Sequence, residues 1–302
     1  MAAAAVVCLV AGAASAAKAP AHARAAATHR ADADTTAFQG LGAWLDVYDT
    51  PLRKAAAATV ARFKAAGVAT VFLETSKSDR TYDVQAPDLT GAFLDAAHGA
   101  GMRVVAWYLP SLENVALDAR RSAAAVAFRS ATGQAFDAFA LDIESSAVRD
   151  PRARTKRLLA LVARVRAAAP RPFTLGAIVP APVGMLLNPT YWPGFPWLQL
   201  AAQVDAWVPM VYSTYRTLGA DGVFGYTVAN VALLRALAGE PVLPVHVVGG
   251  EASGLKPADA EGFVRAAAQQ QVAGASLYDA ATTSAVLWSR LGPVSLLGAG
   301  AG

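Results

Sequence analysis

Cysteine is nearly absent: the chain of 302 residues has one, Cys8, inside an apolar N-terminal run. The body beyond that run therefore has no disulfide, no thiol nucleophile and no cysteine metal cluster. Charge is scarce as well, with Asp, Glu, Lys and Arg making up 16% of residues and a net charge of +4. No lysine and arginine run with interleaved aromatics occurs, which argues against nucleic acid as a partner. Neither G-x-G-x-x-G nor a Walker loop is present, and no cofactor is expected. Ser145 and Ser146 stand outside any G-x-S-x-G elbow, which discounts a serine nucleophile. His246 has no second histidine or aspartate at ligand spacing, so no metal is expected there.

Apolar residues make up 55% of the chain, a share that suits a compact body with a large interior. The run Ala2 to Ala17 is about 16 residues long, short for a membrane span and suited to the core of a signal peptide. Ala-Ser-Ala-Ala ending at Ala17 and Ala-His-Ala ending at Ala23 offer small-residue cleavage sites. The division this implies is 1–23 signal peptide, 24–37 linker, 38–292 one catalytic domain and 293–302 a flexible tail. A secreted monomer, free of the membrane after cleavage, is the expectation. An alanine-rich leader with no export role is the competing reading.

From Phe38 onward, strand-like and helix-like segments alternate with a spacing of roughly 30 to 40 residues, the signature of a parallel sheet wrapped by helices. The strands fall at Gly40 to Val47, Val68 to Glu74, Arg103 to Leu109, Asp137 to Glu144, Phe173 to Val179, Ala206 to Tyr212, Val242 to Val248 and Ala273 to Tyr278. Gly67 and Gly101 stand where helix C-caps belong, and Pro257 suits the first turn of a helix. Eight such units close an α/β fold, a single (β/α)8 TIM barrel of the usual size. An open doubly wound sheet is the competitor, and it would normally carry a glycine-rich phosphate loop. The loop after the fifth strand, rich in proline and aromatics through Trp192 and Trp197, is the expected determinant of specificity.

The fourth strand carries the clearest chemistry. In D-A-F-A-L-D-I-E, Phe139, Leu141 and Ile143 alternate with Ala138, Ala140, Asp142 and Glu144. Alternate side chains leave a strand on opposite faces, so the acids share the small-residue face that fills a barrel and opens at its mouth. The plain alternative is two solvated acids, or acids paired with Arg149 or Arg152. Other strand ends bring Trp44 and Asp46, Glu74, Trp107 and Tyr108, Tyr212, His246, and Tyr278 with Asp279. Carboxylates among flat aromatic faces with few cations describe a carbohydrate site better than a phosphate site. Adjacent acids also push their pKa values apart, which general acid catalysis of glycoside cleavage requires. The expected catalytic pair is Glu144 and Asp142, with Tyr212, Trp44, Asp46, Tyr108, His246 and Tyr278 binding substrate. Trp107 reads equally well as barrel core, because strands favour aromatics for packing alone.

Asp137 to Glu144 resembles the strand-four signature of glycoside hydrolase family 18, the chitinase-like barrels, D-G-x-D-x-D-x-E. Met210-Val211-Tyr212-Ser213 resembles that family's M-x-Y-D. The resemblance implies a hydrolase with Glu144 as general acid, Asp142 holding an acetamido group during substrate-assisted attack, and Tyr212 supporting it. This chain departs from the pattern at Ala138, Ala140 and Ser213, where the family has glycine, aspartate and aspartate. Two other readings use the same residues. A retaining glycosidase would pair Glu144 with Glu251, although Ile143 stands where such enzymes have asparagine. A non-catalytic carbohydrate-binding barrel would keep the aromatics without turnover.

Overall fold

The computed structural model describes residues 33–216 and 219–298. The expected signal peptide and most of the expected linker lie outside the described residues. Eight parallel strands pair in chain order and close into one barrel: β1 (Gly40–Leu45), β2 (Val68–Lys77), β3 (Arg103–Leu109), β4 (Ala138–Asp142), β5 (Thr174–Pro180), β6 (Ala206–Met210), β7 (His246–Glu251) and β8 (Gly274–Tyr278). The helices are α1 (Thr50–Lys54), α2 (Ala56–Ala65), α3 (Pro87–Gly99), α4 (Val115–Ala127), α5 (Pro151–Ala168), α6 (Pro182–Leu187), α7 (Trp197–Ala201), α8 (Gly219–Ala238), α9 (Pro257–Gln269) and α10 (Ala285–Leu291). The open-sheet alternative is thereby excluded. Among the described residues no helix is long and apolar enough to cross a membrane.

The strand pattern sorts the core into two shells. Outward-facing Phe139, Leu141, Leu73, Val104 and Leu175 pack beneath the helices with Phe63, Phe93 and Leu161. Inward-facing Phe72, Val105, Trp107, Ala138, Ala140 and Val208 fill the barrel together with Phe38. Burial on both faces explains why the strands are apolar almost throughout. Gly67 and Gly101 have φ of +79° and +76°, conformations that favour glycine after a helix.

Two expected boundaries are corrected. A 3-10 turn at Thr35–Phe38, of which Thr35 to Ala37 were expected in the linker, closes the bottom of the barrel. Asp34 caps it by accepting from the Thr36 N–H at 3.0 Å, and Thr174 Oγ1 donates to the Asp34 carbonyl at 2.6 Å. The Phe38 ring requires Gly176 on β5, because a Cβ there would lie 2.7 Å from it. At the other end a 3-10 helix, Gly292–Leu296, packs with Val294 fully buried, so the expected tail begins as part of the body.

Candidate active site

β4 delivers its acids as the alternation requires. Asp142 is the last strand residue and pairs with Ile178 on β5, after which the Ile143 N–H donates to the Ile178 carbonyl at 2.8 Å and the chain enters a turn at Glu144. Asp142 is 7% exposed, and its Oδ1 has no hydrogen-bond partner. Glu144 stands at the rim, largely open to solvent as a residue. Neither acid forms an ion pair among the described residues, so the expected alternative with Arg149 or Arg152 is not realised. Burial raises the Asp142 carboxyl well above the ordinary carboxylate range, and the charges of Glu144 and Glu74 raise it further. Glu144 is raised by the loss of water around its carboxyl, with Lys77 opposing. Two neighbouring acids in such a setting titrate as a pair and retain a shared proton longer than free carboxyls do.

They open into a cavity of about 370 Å³ at the C-terminal mouth, lined also by Asp46, Glu74, Lys77, Trp107, Tyr212, Glu251 and Tyr278. Tyr212 follows β6, where the Val211 N–H donates to the Val248 carbonyl at 2.8 Å and Ser213 Oγ donates to the Gly249 carbonyl at 3.0 Å. Burial, then the Asp142 and Glu144 charges, hold the Tyr212 hydroxyl protonated far above its usual range. Tyr278 donates to Asp46 Oδ2 at 2.9 Å, and the Tyr48 N–H donates to Asp46 Oδ1 at 2.6 Å. The rim carries two exposed tyrosines, Tyr48 and Tyr215, 61% and 70% exposed. The Tyr215 hydroxyl donates to Glu251 Oε1.

Of the expected binding residues, Asp46, Tyr212 and Tyr278 line this cavity with Asp142 and Glu144, and three others do not. Trp44 lies one layer lower, 3% exposed, stacked on Phe72 at 4.2 Å, with Nε1 donating to Ser276 Oγ at 2.8 Å. Tyr108 faces outward: Trp107 beside it faces inward, and alternation forbids both from reaching the mouth. Its hydroxyl donates to Asp118 Oδ1 at 2.6 Å in the outer shell. His246 is fully buried within the barrel, between the Phe38 carbonyl at 3.0 Å and Ser276 Oγ at 2.9 Å. Its strand starts at His246 rather than Val242, because Pro241 and Pro244 interrupt the preceding segment. That displacement puts Glu251, expected in a loop, at the mouth end of β7, paired with Tyr278.

Sequence reasoning undervalued Glu74 and missed Lys77. A register shift between Glu74 and Ser76 carries β2 on to Lys77, and such bulges re-aim side chains. Glu74 is 2% exposed; its Oε2 accepts from the Val47 N–H at 2.8 Å. Buried Arg53 donates to the Asp46 and Glu74 carbonyls at 2.9 and 2.6 Å, pinning the two strand ends without bonding the carboxylate. Burial pushes Glu74 up to about 7. The loop after β5 divides in two. Trp192 and Phe195 are buried in the outer core, whereas Met185 and Tyr191 line a second cavity beside the first. The Tyr191 hydroxyl also donates to the Glu144 carbonyl, tying this loop to the end of β4. Among the described residues no group of three His, Cys, Asp or Glu side chains could hold a metal ion.

The fold defines a (β/α)8 barrel with an acid-rich, aromatic mouth at the C-terminal ends of its strands. More particularly, the barrel is similar to that of family GH18. The Cycas revoluta family GH18 chitinase, solved with allosamidin, superposes with a TM-score of 0.61 at 11% identity, over 84% of this chain and 99% of that one. A class V chitinase from Pseudomonas fluorescens gives 0.61 at 12%, over 85% and 99%. The endo-beta-1,4-mannanase of Thermotoga petrophila gives 0.64 at 8%, over 87% and 78%. The sequence matches no protein-family model and none of the curated proteins.

Proposed function

We propose that this protein is a secreted glycoside hydrolase that cleaves an O-glycosidic bond in a poly- or oligosaccharide, with Glu144 as the general acid. The observation that carries the reading is the pair Asp142 and Glu144: neighbours on one mouth cavity, free of ion pairs among the described residues, and both raised above ordinary carboxyl pKa values. Glu144 is the accessible member, so it meets the leaving oxygen. In the first step the Glu144 proton passes to that oxygen as the C1–O bond breaks. In the second, a water adds hydroxide to C1 and its proton returns to Glu144. Asp142 lies deeper and shares the pair's proton with Glu144; its anion, formed when that proton sits on Glu144, stabilises positive charge developing at C1 or orients a neighbouring substrate group. Tyr212 supplies a hydroxyl donor beside it. Solved structures with this fold include a chitinase mutant in complex with (GlcNAc)4, and N-acetylglucosamine oligomers head the substrates to test.

A second reading rests on Glu251, which the mouth end of β7 places on the same cavity. In that reading Glu251 attacks C1 and forms a glycosyl-enzyme, and mass spectrometry of protein treated with a 2-fluoro glycosyl donor detects the adduct. The primary test is Glu144→Gln assayed on N-acetylglucosamine and mannose oligomers. The amide keeps the shape and loses the proton, so turnover falls by about 10²- to 10⁴-fold with the fold intact. Asp142→Asn falls comparably. If Glu144→Gln cleaves as fast as wild type, the assignment is wrong; if wild type binds the oligomers and cleaves none, the protein is a carbohydrate-binding barrel. Export is supported by the Ala2 to Ala17 run, and N-terminal sequencing of protein from the culture medium checks it.

A further inference from the structure

The second cavity, about 260 Å³, opens between the β5 loop and the start of α8, and it shares Met210 and Tyr212 with the catalytic cavity. The two are therefore parts of one cleft, divided by the Tyr212 side. Their chemistry differs sharply. The catalytic part is lined by Asp46, Glu74, Asp142, Glu144 and Glu251 against one cation, Lys77. The second part is lined by one charged side chain, Arg216, with no acid. Arg216 is exposed, lies 4.5 Å over the Tyr226 ring, and has no carboxylate partner among the described residues. The contact with Tyr226 does not use the guanidinium N–H donors, which leaves them available to a ligand in the cavity. The opposite wall offers the side chain of Asn188 and the ring of Tyr191, whose hydroxyl is spent on the Glu144 carbonyl.

We infer that this second cavity is a subsite for an acidic sugar, a uronic acid or an equivalent carboxylate-bearing residue, adjoining the residue whose bond is cleaved. The inference rests on the proposed hydrolase reading for its register, and it names the class of chain that register accepts. A carboxylate is disfavoured beside the acids of the catalytic cavity, which carry net negative charge even with part of them protonated, and is accepted by the fork of Arg216, so the cleft selects chains in which a neutral residue neighbours an acidic one. A guanidinium binds a carboxylate through two parallel N–H donors, which gives geometric selection as well as charge.

Two hexasaccharides test this, one of N-acetylhexosamine alone and one alternating N-acetylhexosamine with a uronic acid. Their affinities are measured by calorimetry at low and high salt on wild type, Arg216→Gln and Arg216→Lys, and cleavage of each is followed separately. Wild type is expected to bind the acidic chain about tenfold more tightly than the neutral one, with the preference shrinking as salt rises. Arg216→Gln removes the preference, and Arg216→Lys keeps the part due to charge while losing the fork. Circular dichroism and thermal melting confirm that the variants are folded. Equal affinity for both chains in wild type, no binding of either, or a preference that survives Arg216→Gln overturns the inference. Preferential binding without cleavage of either chain upholds the subsite and defeats the hydrolase reading; cleavage without preference does the reverse.

Discussion

Replacing Glu74 by glutamine isolates the energetic cost of burying a carboxyl at the barrel mouth. Glu74 is 2% exposed, and its carboxylate receives one backbone N–H, from Val47, while Arg53 bonds the backbone carbonyl instead. The result is a pKa pushed from the ordinary 4.5 up to about 7 by loss of water. Between those values the folded protein holds a proton that the unfolded chain has released, so stability falls as pH rises through this window. The displacement corresponds to roughly 3 kcal/mol, absent below pH 4.5 and complete above pH 7. Glutamine keeps the acceptor for Val47 and has no proton to lose. The stability of Glu74→Gln relative to wild type should therefore rise by roughly 3 kcal/mol from pH 4.5 to 7.5 and then stay level. Urea unfolding followed by tryptophan fluorescence at half-unit pH steps gives both curves. A second readout comes from activity: the Glu74 charge helps raise Asp142, so its loss moves the alkaline limb of kcat/KM to lower pH. Turnover at its optimum falls much less than in Glu144→Gln. Parallel stability curves for wild type and variant would refute the reasoning.

His246 has the opposite sign. Burial lowers it to about 4, so the folded protein keeps a neutral ring while the unfolded chain protonates near 6.5, and roughly 3 kcal/mol of stability is lost as pH falls from 6.5 to 4. Melting temperatures of wild type and His246→Gln across that range should converge at acid pH; a constant gap would count against a neutral buried ring. Gly42→Ala places a methyl 2.7 Å from His246 Nε2 and 3.0 Å from the Phe72 ring. It should cost about 1–3 kcal/mol. The control Gly99→Ala, on helix α3 with no atom within 4 Å, should be neutral or stabilising by up to about 1 kcal/mol in the same denaturation assay.

Much of the barrel was legible in the sequence because its signals are local. Strand alternation in Asp137 to Glu144 fixed which residues face inward, and Gly67 and Gly101 marked helix ends through backbone conformations that few other residues adopt. The position of Asp142 and Glu144 at the mouth was readable for the same reason: two acids on a small-residue face have one place to go in a closed barrel. Tertiary structure alone decided which strand ends reach the mouth. The late start of β7 sank His246 into the core while lifting Glu251 to the rim. The bulge that carries Lys77 and Glu74 into the cavity, and the cleft that joins Arg216 to it, depend on the register between neighbouring strands and on loop packing. Those are set by contacts between residues far apart in the chain, and side-chain period within one strand carries no information about the height of that strand relative to the next.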